Sequence, residues 1–367
     1  MSGSQDPRSP ATLVRSASRR RSTGTVVRLA ALAVSAGLLA GCGGSDGGST
    51  GTRTAGGATT EPGAASRPLS LTLDFAPNAV HTGLYVAQER GLFRKAGLKV
   101  QIRIPGSGAD GAKLLAAGKT DLAVMDIHDV ALARQDGADL VAVGALVQRP
   151  LAAVLASPGV RRPRDLEGKR VGVTGLPSDD AALDQIVRGD GGDPKQVERA
   201  TIGFEAVPSV LSGKVAAAIG FWNAEGVALT ARRPKTHVFR LDAYGAPVYP
   251  ELLIVATPKT LASRGDDVLA FARASAAGYE AVASTPKGQD DEAVKALRSG
   301  SGDKSIDPAT TEQQLAAVKP AFVDQVGRTG TLPRAELRTW ATWEAKVGIT
   351  KKAPDVDAMV WSKAPGS

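Results

Sequence analysis

Leu71-Thr-Leu-Asp-Phe-Ala-Pro-Asn-Ala-Val-His-Thr-Gly-Leu-Tyr-Val-Ala-Gln-Glu-Arg-Gly-Leu-Phe-Arg-Lys-Ala-Gly-Leu-Lys-Val100 reads as strand, loop, helix, turn, strand. Leu71, Leu73 and Phe75 alternate with Thr72 and Asp74, the two-residue period of a strand with one covered face. Pro77 and Asn78 break that pattern. Leu84, Ala87, Gly91 and Leu92 return at helical spacing, and Gly91 stops the helix. Leu98, Val100, Ile102 and Ile104 then alternate with Lys99, Gln101 and Arg103 as a second strand. Such a unit predicts an open α/β sheet, in which ligands sit beyond the carboxyl ends of strands. Phe75–Thr82 is therefore the first candidate site.

Working outward, Gly106-Ser-Gly108 precedes a helix to about Ala117 and is either an anion cradle or a tight turn capped by Ser or Asp. Leu122–Met125 and Leu140–Leu146 are short apolar strands, and the polar cluster Asp126-Ile-His-Asp129 follows the first of them. An internal echo decides the architecture. Leu115-Ala-Ala-Gly-Lys-Thr-Asp-Leu-Ala-Val124 is repeated in outline by Val210-Leu-Ser-Gly-Lys-Val-Ala-Ala-Ala-Ile219. Setting Gly118 on Gly213 lays Met125–Val130 over Gly220–Glu225. Each half thus offers one strand end followed by a helix start, which predicts two similar α/β lobes facing each other across a cleft. Strands are expected at Val171–Thr174, Ala200–Gly203, Ala217–Trp222 and His237–Leu241. Leu176–Asp180 is a loop leading into a helix capped by Ser178 or Asp179. Gln148–Ala156 and Pro247–Val255 read as two crossover strands forming a hinge. The helical tail with Trp340, Trp343 and Trp361 is expected to pack on the first lobe. The expected limits are 69–150 for the first part of lobe 1, 151–247 for lobe 2, and 248–367 for the return crossover and C-terminal helices.

Residues 1–41 stand outside the fold. Arg15, Arg19, Arg20, Arg21 and Arg28 precede the apolar run Leu29–Ala40, which is too short to span a bilayer. With Leu39-Ala-Gly-Cys42 it has the layout of a signal peptide. Cys42 is the chain's one cysteine and its position resembles a bacterial lipobox. That resemblance implies cleavage before Cys42, a lipid on its thiol, and a chain held on the extracytoplasmic face of the membrane; an ordinary signal peptide with an incidental cysteine is the alternative. Residues 42–68, rich in Gly, Ser, Thr and Ala, read as a tether. The formal charge of +8 is misleading: residues 1–41 hold six of the 45 basic groups and one of the 37 acidic ones, leaving 39 against 36. That mild surplus, without basic runs, excludes a nucleic-acid surface.

Catalytic constellations are missing. One cysteine and three histidines (His81, His128 and His237) exclude Cys/His catalysis and cysteine-ligated zinc, and neither His-Glu-X-X-His nor Gly-X-Ser-X-Gly occurs. Neither an enzyme nor a cofactor or metal is expected. Binding is easier to support. Phe75 and Trp222 fall at strand ends of opposite lobes, where they could stack on a planar ring, and Tyr249 is a further aromatic candidate. The acids Asp126, Asp179 and Glu225 fall at strand ends or helix starts.

Asp74-Phe-Ala-Pro-Asn-Ala-Val-His-Thr-Gly-Leu-Tyr-Val-Ala-Gln-Glu-Arg-Gly-Leu-Phe93 resembles the opening of the substrate-binding proteins of ABC importers for thiamine pyrimidine precursors. That superfamily also takes in sulfonate, nitrate and riboflavin binders and the fungal enzymes that make the thiamine pyrimidine. Phe221-Trp-Asn-Ala-Glu-Gly226 is similar to a second motif of the family, whose Glu and aromatic residues contact the pyrimidine. The resemblance implies a type II periplasmic-binding-protein fold, with a mixed sheet flanked by helices in each lobe. It implies a monomer that closes its lobes on a small heterocycle and delivers it to a permease and its ATPase. It places Asn78 and His81 on the pocket wall and gives Trp222, Asn223 and Glu225 the ligand contacts, one carboxylate gripping an aminopyrimidine edge. Loop and cap duty is the alternative for Asn78, His81, Asn223 and Glu225. Asp126, His128, Ser178, Asp179 and Tyr249 complete the candidate ligand-binding set. The enzymes' cysteine-rich motif is missing here, and their pyridoxal phosphate is cytosolic. Riboflavin, or a sulfonate or nitrate, stays open as ligand, although an anion would want Arg or Lys in the cleft.

Overall fold

The computed structural model describes residues 68–106 and 111–367; the expected signal peptide, Cys42, nearly all of the tether and residues 107–110 of the Gly-Ser-Gly loop lie outside the described residues. Among the described residues ten strands form two five-stranded sheets. They are β1 Leu69–Thr72, β2 Val100–Arg103, β3 Leu122–Asp126, β4 Val141–Val147, β5 Ala152–Ala156, β6 Arg170–Val173, β7 Glu198–Thr201, β8 Ala217–Phe221, β9 His237–Arg240 and β10 Leu252–Ala256. The sheet orders are β2-β1-β3-β10-β4 and β7-β6-β8-β5-β9.

β1 ends three residues earlier than the alternation suggests, and all four of its residues are buried. Ser70 and Thr72 look like an outer face in the sequence. Their hydroxyls instead find partners inside: Ser70 Oγ donates to Asp121 Oδ2 at 2.7 Å and Thr72 Oγ1 to Thr120 Oγ1 at 3.0 Å. A buried hydroxyl with a partner costs little, so β1 is covered on both faces as parallel strands are. At the sheet edges, β2 and β7 carry exposed polar and charged residues, which discourages further strand pairing.

The two sheets repeat one plan. β1, β2 and β3 run parallel, as do β6, β7 and β8, and the fourth position in each sheet is filled by an antiparallel strand arriving from the other lobe. The registers agree as well. Leu252, first in β10, faces Asp126, last in β3; Ala152, first in β5, faces Phe221, last in β8. The echo around Gly118 and Gly213 is real, since both glycines adopt positive φ (62° and 76°) in the turn that feeds the central strand. The expected crossovers are shorter than 148–156 and 247–255. Residues 152–156 already belong to the second sheet and 252–256 to the first, leaving 148–151 and 245–251 as connections. The tail packs on lobe 1: Val360 bridges to Ala142 of β4, and Trp340 and Trp343 are buried beside residues of β3 and β10.

Candidate functional site

In each sheet the first crossover goes to one side of the starting strand and the next to the other side. The direction reverses between β1 and β3 and again between β6 and β8. Ligands of open α/β sheets sit outside the strand ends at such a reversal. Four segments qualify: Leu73–His81, Asp126–His128, Thr174–Asp179 and Phe221–Glu225. The two lobes meet along this face. The rings of Phe75 in lobe 1 and Phe204 in lobe 2 lie 5.3 Å apart between centroids, and Gln314 Nε2 of the tail donates to the Ala224 carbonyl at 3.2 Å.

The loop after β1 is held by its own side chains. Asn78 Oδ1 accepts from Val80 N and its Nδ2 donates to the Ala76 carbonyl. Asn78 N donates to His81 Nδ1 at 3.2 Å, which leaves Nε2–H of that buried ring to donate to Asp74 Oδ1 at 2.8 Å. Behind them the helix Thr82–Glu89 lies against the long helix Pro258–Ala283. A Cβ on Gly278 would come within 2.2 Å of the Gly83 carbonyl, so this approach needs glycine. Tyr279 then donates to the Val80 carbonyl at 2.6 Å. The structure thus gives Asn78 and His81 to the loop's internal network.

The turn after β3 is polar and closed. Asp126 caps the helix Ile127–Gln135 by accepting from His128 N. His128 is buried among Tyr249, Trp340 and Trp343. Burial works against a charged ring there, but Glu344 and Asp126 outweigh it and push His128 up to about 10. The ring is therefore doubly protonated at neutral pH, Nδ1–H donating to Glu344 Oε2 at 2.7 Å and Nε2–H to the Tyr249 hydroxyl at 3.0 Å. Burial, with Asp126 beside it, raises the Glu251 carboxyl well above its ordinary range. Glu251 Oε2 accepts from Leu151 N at 3.1 Å, tying the incoming strand connection to the outgoing one. Donor atoms of Asp126, His128 and Glu251 lie within 4.8 Å of one another, but both ring nitrogens of His128 are already hydrogen-bonded. His128 and Tyr249, expected on the cleft wall, are core residues of lobe 1.

The lobe 2 side is less closed. The helix Pro177–Gly189 starts after Leu176, so neither Ser178 nor Asp179 caps it. Asp179 instead folds back, and its Oδ2 accepts from Thr174 N and Oγ1, both at 2.6 Å. Burial pushes the Asp179 carboxyl up, and Asp126 of lobe 1 adds to that push; Ser178 is half-buried beside it. After β8 the chain makes a π-helical turn, Trp222–Gly226, a geometry frequent at functional sites. Phe221 has no side-chain acceptor to cap the turn, and Glu225 supplies one, its Oε2 accepting from Phe221 N at 3.0 Å. Burial raises the pKa of Glu225. Trp222 is 9% exposed; its indole N–H donates to the Pro150 carbonyl at 2.9 Å, and the Arg240 guanidinium lies 4.1 Å over its ring. The ring that meets Phe75 is accordingly Phe204, not Trp222. Asn223 is fully buried, and neither polar atom of its side chain has a partner among the described residues.

Sequence reasoning missed Phe204 and Glu251. Phe204 follows an edge strand within Gly203-Phe-Glu205, a pattern that looks like any loop. Glu251 sat inside a run read only as a crossover.

Residues 78–289 match the family model described as NMT1/THI5 like. A formylaminopyrimidine-binding protein of Halalkalibacterium halodurans is 37% identical over 232 residues, spanning 62% of this chain and 69% of the relative. A 4-amino-5-hydroxymethyl-2-methylpyrimidine phosphate synthase of Uromyces fabae is 27% identical over 233 residues, 60% of this chain and 68% of the enzyme. Among solved structures, the alkanesulfonate-binding protein SsuA of Xanthomonas axonopodis pv. citri superposes with a TM-score of 0.61 at 18% identity, over 80% of this chain and 98% of that one. The fold is thus that of the two-lobed periplasmic binding proteins.

Proposed function

We propose that this chain, which belongs to the NMT1/THI5-like family, is the extracytoplasmic solute-binding protein of an ABC importer, tethered by a lipid on Cys42, and that it carries an aminopyrimidine of the thiamine-precursor class. The observation that carries this reading is Asn223. A buried carboxamide with neither end satisfied costs about 1–3 kcal/mol, a cost that a ligand with its own donor and acceptor removes. An aminopyrimidine edge has that pair: an exocyclic N–H₂ beside a ring nitrogen. Glu225, with its raised pKa, holds a proton more readily than an exposed carboxyl, so it can donate to the ring nitrogen while accepting from the amine. Asp126 and Asp179, on opposite lobes, favour a neutral or cationic ligand over an anion. Phe75 adds an aromatic face. The synthases among the relatives represent the other class of function. A binding protein is favoured because the 37% identical relative bears that name and because the chain's single cysteine stands at position 42.

Calorimetric titration with 4-amino-5-hydroxymethyl-2-methylpyrimidine and its formylamino analogue, beside riboflavin, an alkanesulfonate and nitrate, tests the reading. Binding is expected for the pyrimidines, with Asn223→Leu and Glu225→Gln each weakening it tenfold or more. Preference for riboflavin or either anion overturns it. Cys42→Ser is expected to release the protein from the membrane fraction and abolish labelling by a palmitate analogue.

A further inference from the structure

Two short connections join the lobes, 148–151 and 245–251, and each ends on the residue just before an antiparallel strand. Those end residues, Leu151 and Glu251, are fully buried. Each is tied to one of the two central turns. Ile127 N, after β3, donates to the Glu251 carbonyl at 2.9 Å, and Trp222 N, after β8, donates to the Leu151 carbonyl at 3.0 Å. Between them, Leu151 N donates to Glu251 Oε2 at 3.1 Å. A path of three hydrogen bonds thus runs from the lobe 1 turn to the lobe 2 turn, and only its middle link uses a side chain.

The kind of side chain is informative. A glutamine would accept the same bond from Leu151 N and carry no charge. Glutamate accepts it too, but burial and the neighbouring Asp126 oppose its ionised form. Its other oxygen, Oε1, has no partner among the described residues. The remaining titratable groups around it are His128 from the helix Ile127–Gln135, Glu344 from the helix Arg334–Val347 and Tyr249 from its own connection. Burial keeps Tyr249 neutral, and Glu344 and Asp126 keep His128 charged, so neither changes state near neutrality. Further out, Asp242 acts on Tyr249, and Asp126 acts on Asp179 of lobe 2.

We infer that Glu251 is a positioning residue: through Leu151 it holds the lobe 2 turn that carries Asn223 and Glu225 against the lobe 1 turn, and its carboxyl takes a proton from solvent as the lobes come together. Bringing the lobes together sets Asp179 beside Asp126 and shuts water out of the cluster, and both changes favour the neutral carboxyl. Because closing binds a proton, rising pH opposes closing and weakens binding. The inference rests on the inter-lobe face being the binding site. Glu251 itself acts from behind that face and touches no ligand.

Glu251→Gln keeps the acceptor and removes the proton site, whereas Glu251→Met removes both. They are compared with wild type by calorimetry using 4-amino-5-hydroxymethyl-2-methylpyrimidine from about pH 5 to about pH 9, and by small-angle scattering without ligand over the same range. The ligand titrates alike with wild type and Glu251→Gln, so the difference between their profiles is the readout. Their affinities are expected to agree at the acid end, and wild type to fall behind by about tenfold at the alkaline end. Glu251→Met is expected to bind more weakly than Glu251→Gln throughout, because Leu151 N loses its acceptor; if it does not fold, the Glu251→Gln profile decides alone. The radius of gyration of the free protein is expected to grow with pH in wild type and not in Glu251→Gln. Parallel affinity profiles overturn the proposal even where melting temperatures differ, since a purely structural Glu251 shifts stability and not the pH profile. If wild type binds no pyrimidine at any pH, the functional reading fails and scattering decides: a pH-dependent radius in wild type alone supports the hinge role, and matching radii overturn it.

Discussion

The turn after β3 in lobe 1 and the turn after β8 in lobe 2 are the same piece of fold made twice. Both follow the central strand, and both begin at the residue facing the first position of a strand from the other lobe. Even one backbone hydrogen bond recurs: Ile127 N donates to the Glu251 carbonyl at 2.9 Å, and Trp222 N to the Leu151 carbonyl at 3.0 Å. Their side chains diverge completely. In lobe 1 the position of His128 is saturated, its ring clamped between Glu344 and Tyr249. In lobe 2 the matching position is Asn223, buried with no side-chain partner among the described residues. A buried ring with both nitrogens bonded, as in His128, contributes to stability. A turn left with unmet groups is poised for something that arrives later.

Replacing His128 is the most severe way to break the comparison. His128→Ala leaves Glu344 fully buried without its counter-charge and is expected to destabilise the protein by about 3–5 kcal/mol in urea unfolding. If it costs no more than an average substitution, lobe 1's turn is not the locked one. The pH dependence sharpens the same point. The folded-state pKa of His128, about 10, exceeds its ordinary value near 6.5. The stability it supplies is complete below pH 6.5 and is lost as pH climbs toward 10. Wild type should lose stability over that window, and His128→Gln should lose less.

A smaller effect checks the likeness rather than the difference. Gly118 and Gly213 share a left-handed backbone, and a Cβ on either would meet nothing within 4 Å. Gly118→Ala and Gly213→Ala should therefore each cost about 1–2 kcal/mol from backbone strain alone, and by similar amounts in chemical denaturation. Unequal costs would say that the two turns are not equivalents.

The smallest effects on stability belong to lobe 2. Asn223→Leu removes the unsatisfied carboxamide and is expected to stabilise the free protein by about 1 kcal/mol, the low end of that group's cost, while it weakens ligand affinity. Glu225→Gln behaves similarly. A carboxyl whose pKa is raised on folding contributes fully below its unfolded value, near 4.5, and loses that contribution as pH rises through the folded value. On going from pH 4 to 7, wild type should thus lose stability relative to Glu225→Gln.

Much of the architecture was readable in advance. The ten-residue echo around Gly118 and Gly213 implied twin lobes because a positive-φ glycine leading into an apolar strand is a local requirement, visible wherever it is met. What escaped were features set by distant partners. Ser70 and Thr72 imitate an outer face because nothing near them in sequence announces Asp121 and Thr120. His128 looked like a cleft residue because Glu344 lies 216 positions away. Phe75 lies against Phe204 of the other lobe, a counterpart that could not be chosen from sequence: Trp222 has the stronger motif, and only its indole bond to Pro150 and its contact with Arg240 reveal it as occupied.

The antiparallel strand β10 sits inside the first sheet, between β3 and β4, yet it is made after every strand of the second. A nascent chain therefore carries four strands with an open seam while the whole of 152–240 is produced. At about 5–20 residues per second that wait lasts roughly 5–20 s. The second lobe, contiguous in the chain, can finish first and so become the template on which the older half is finally sealed.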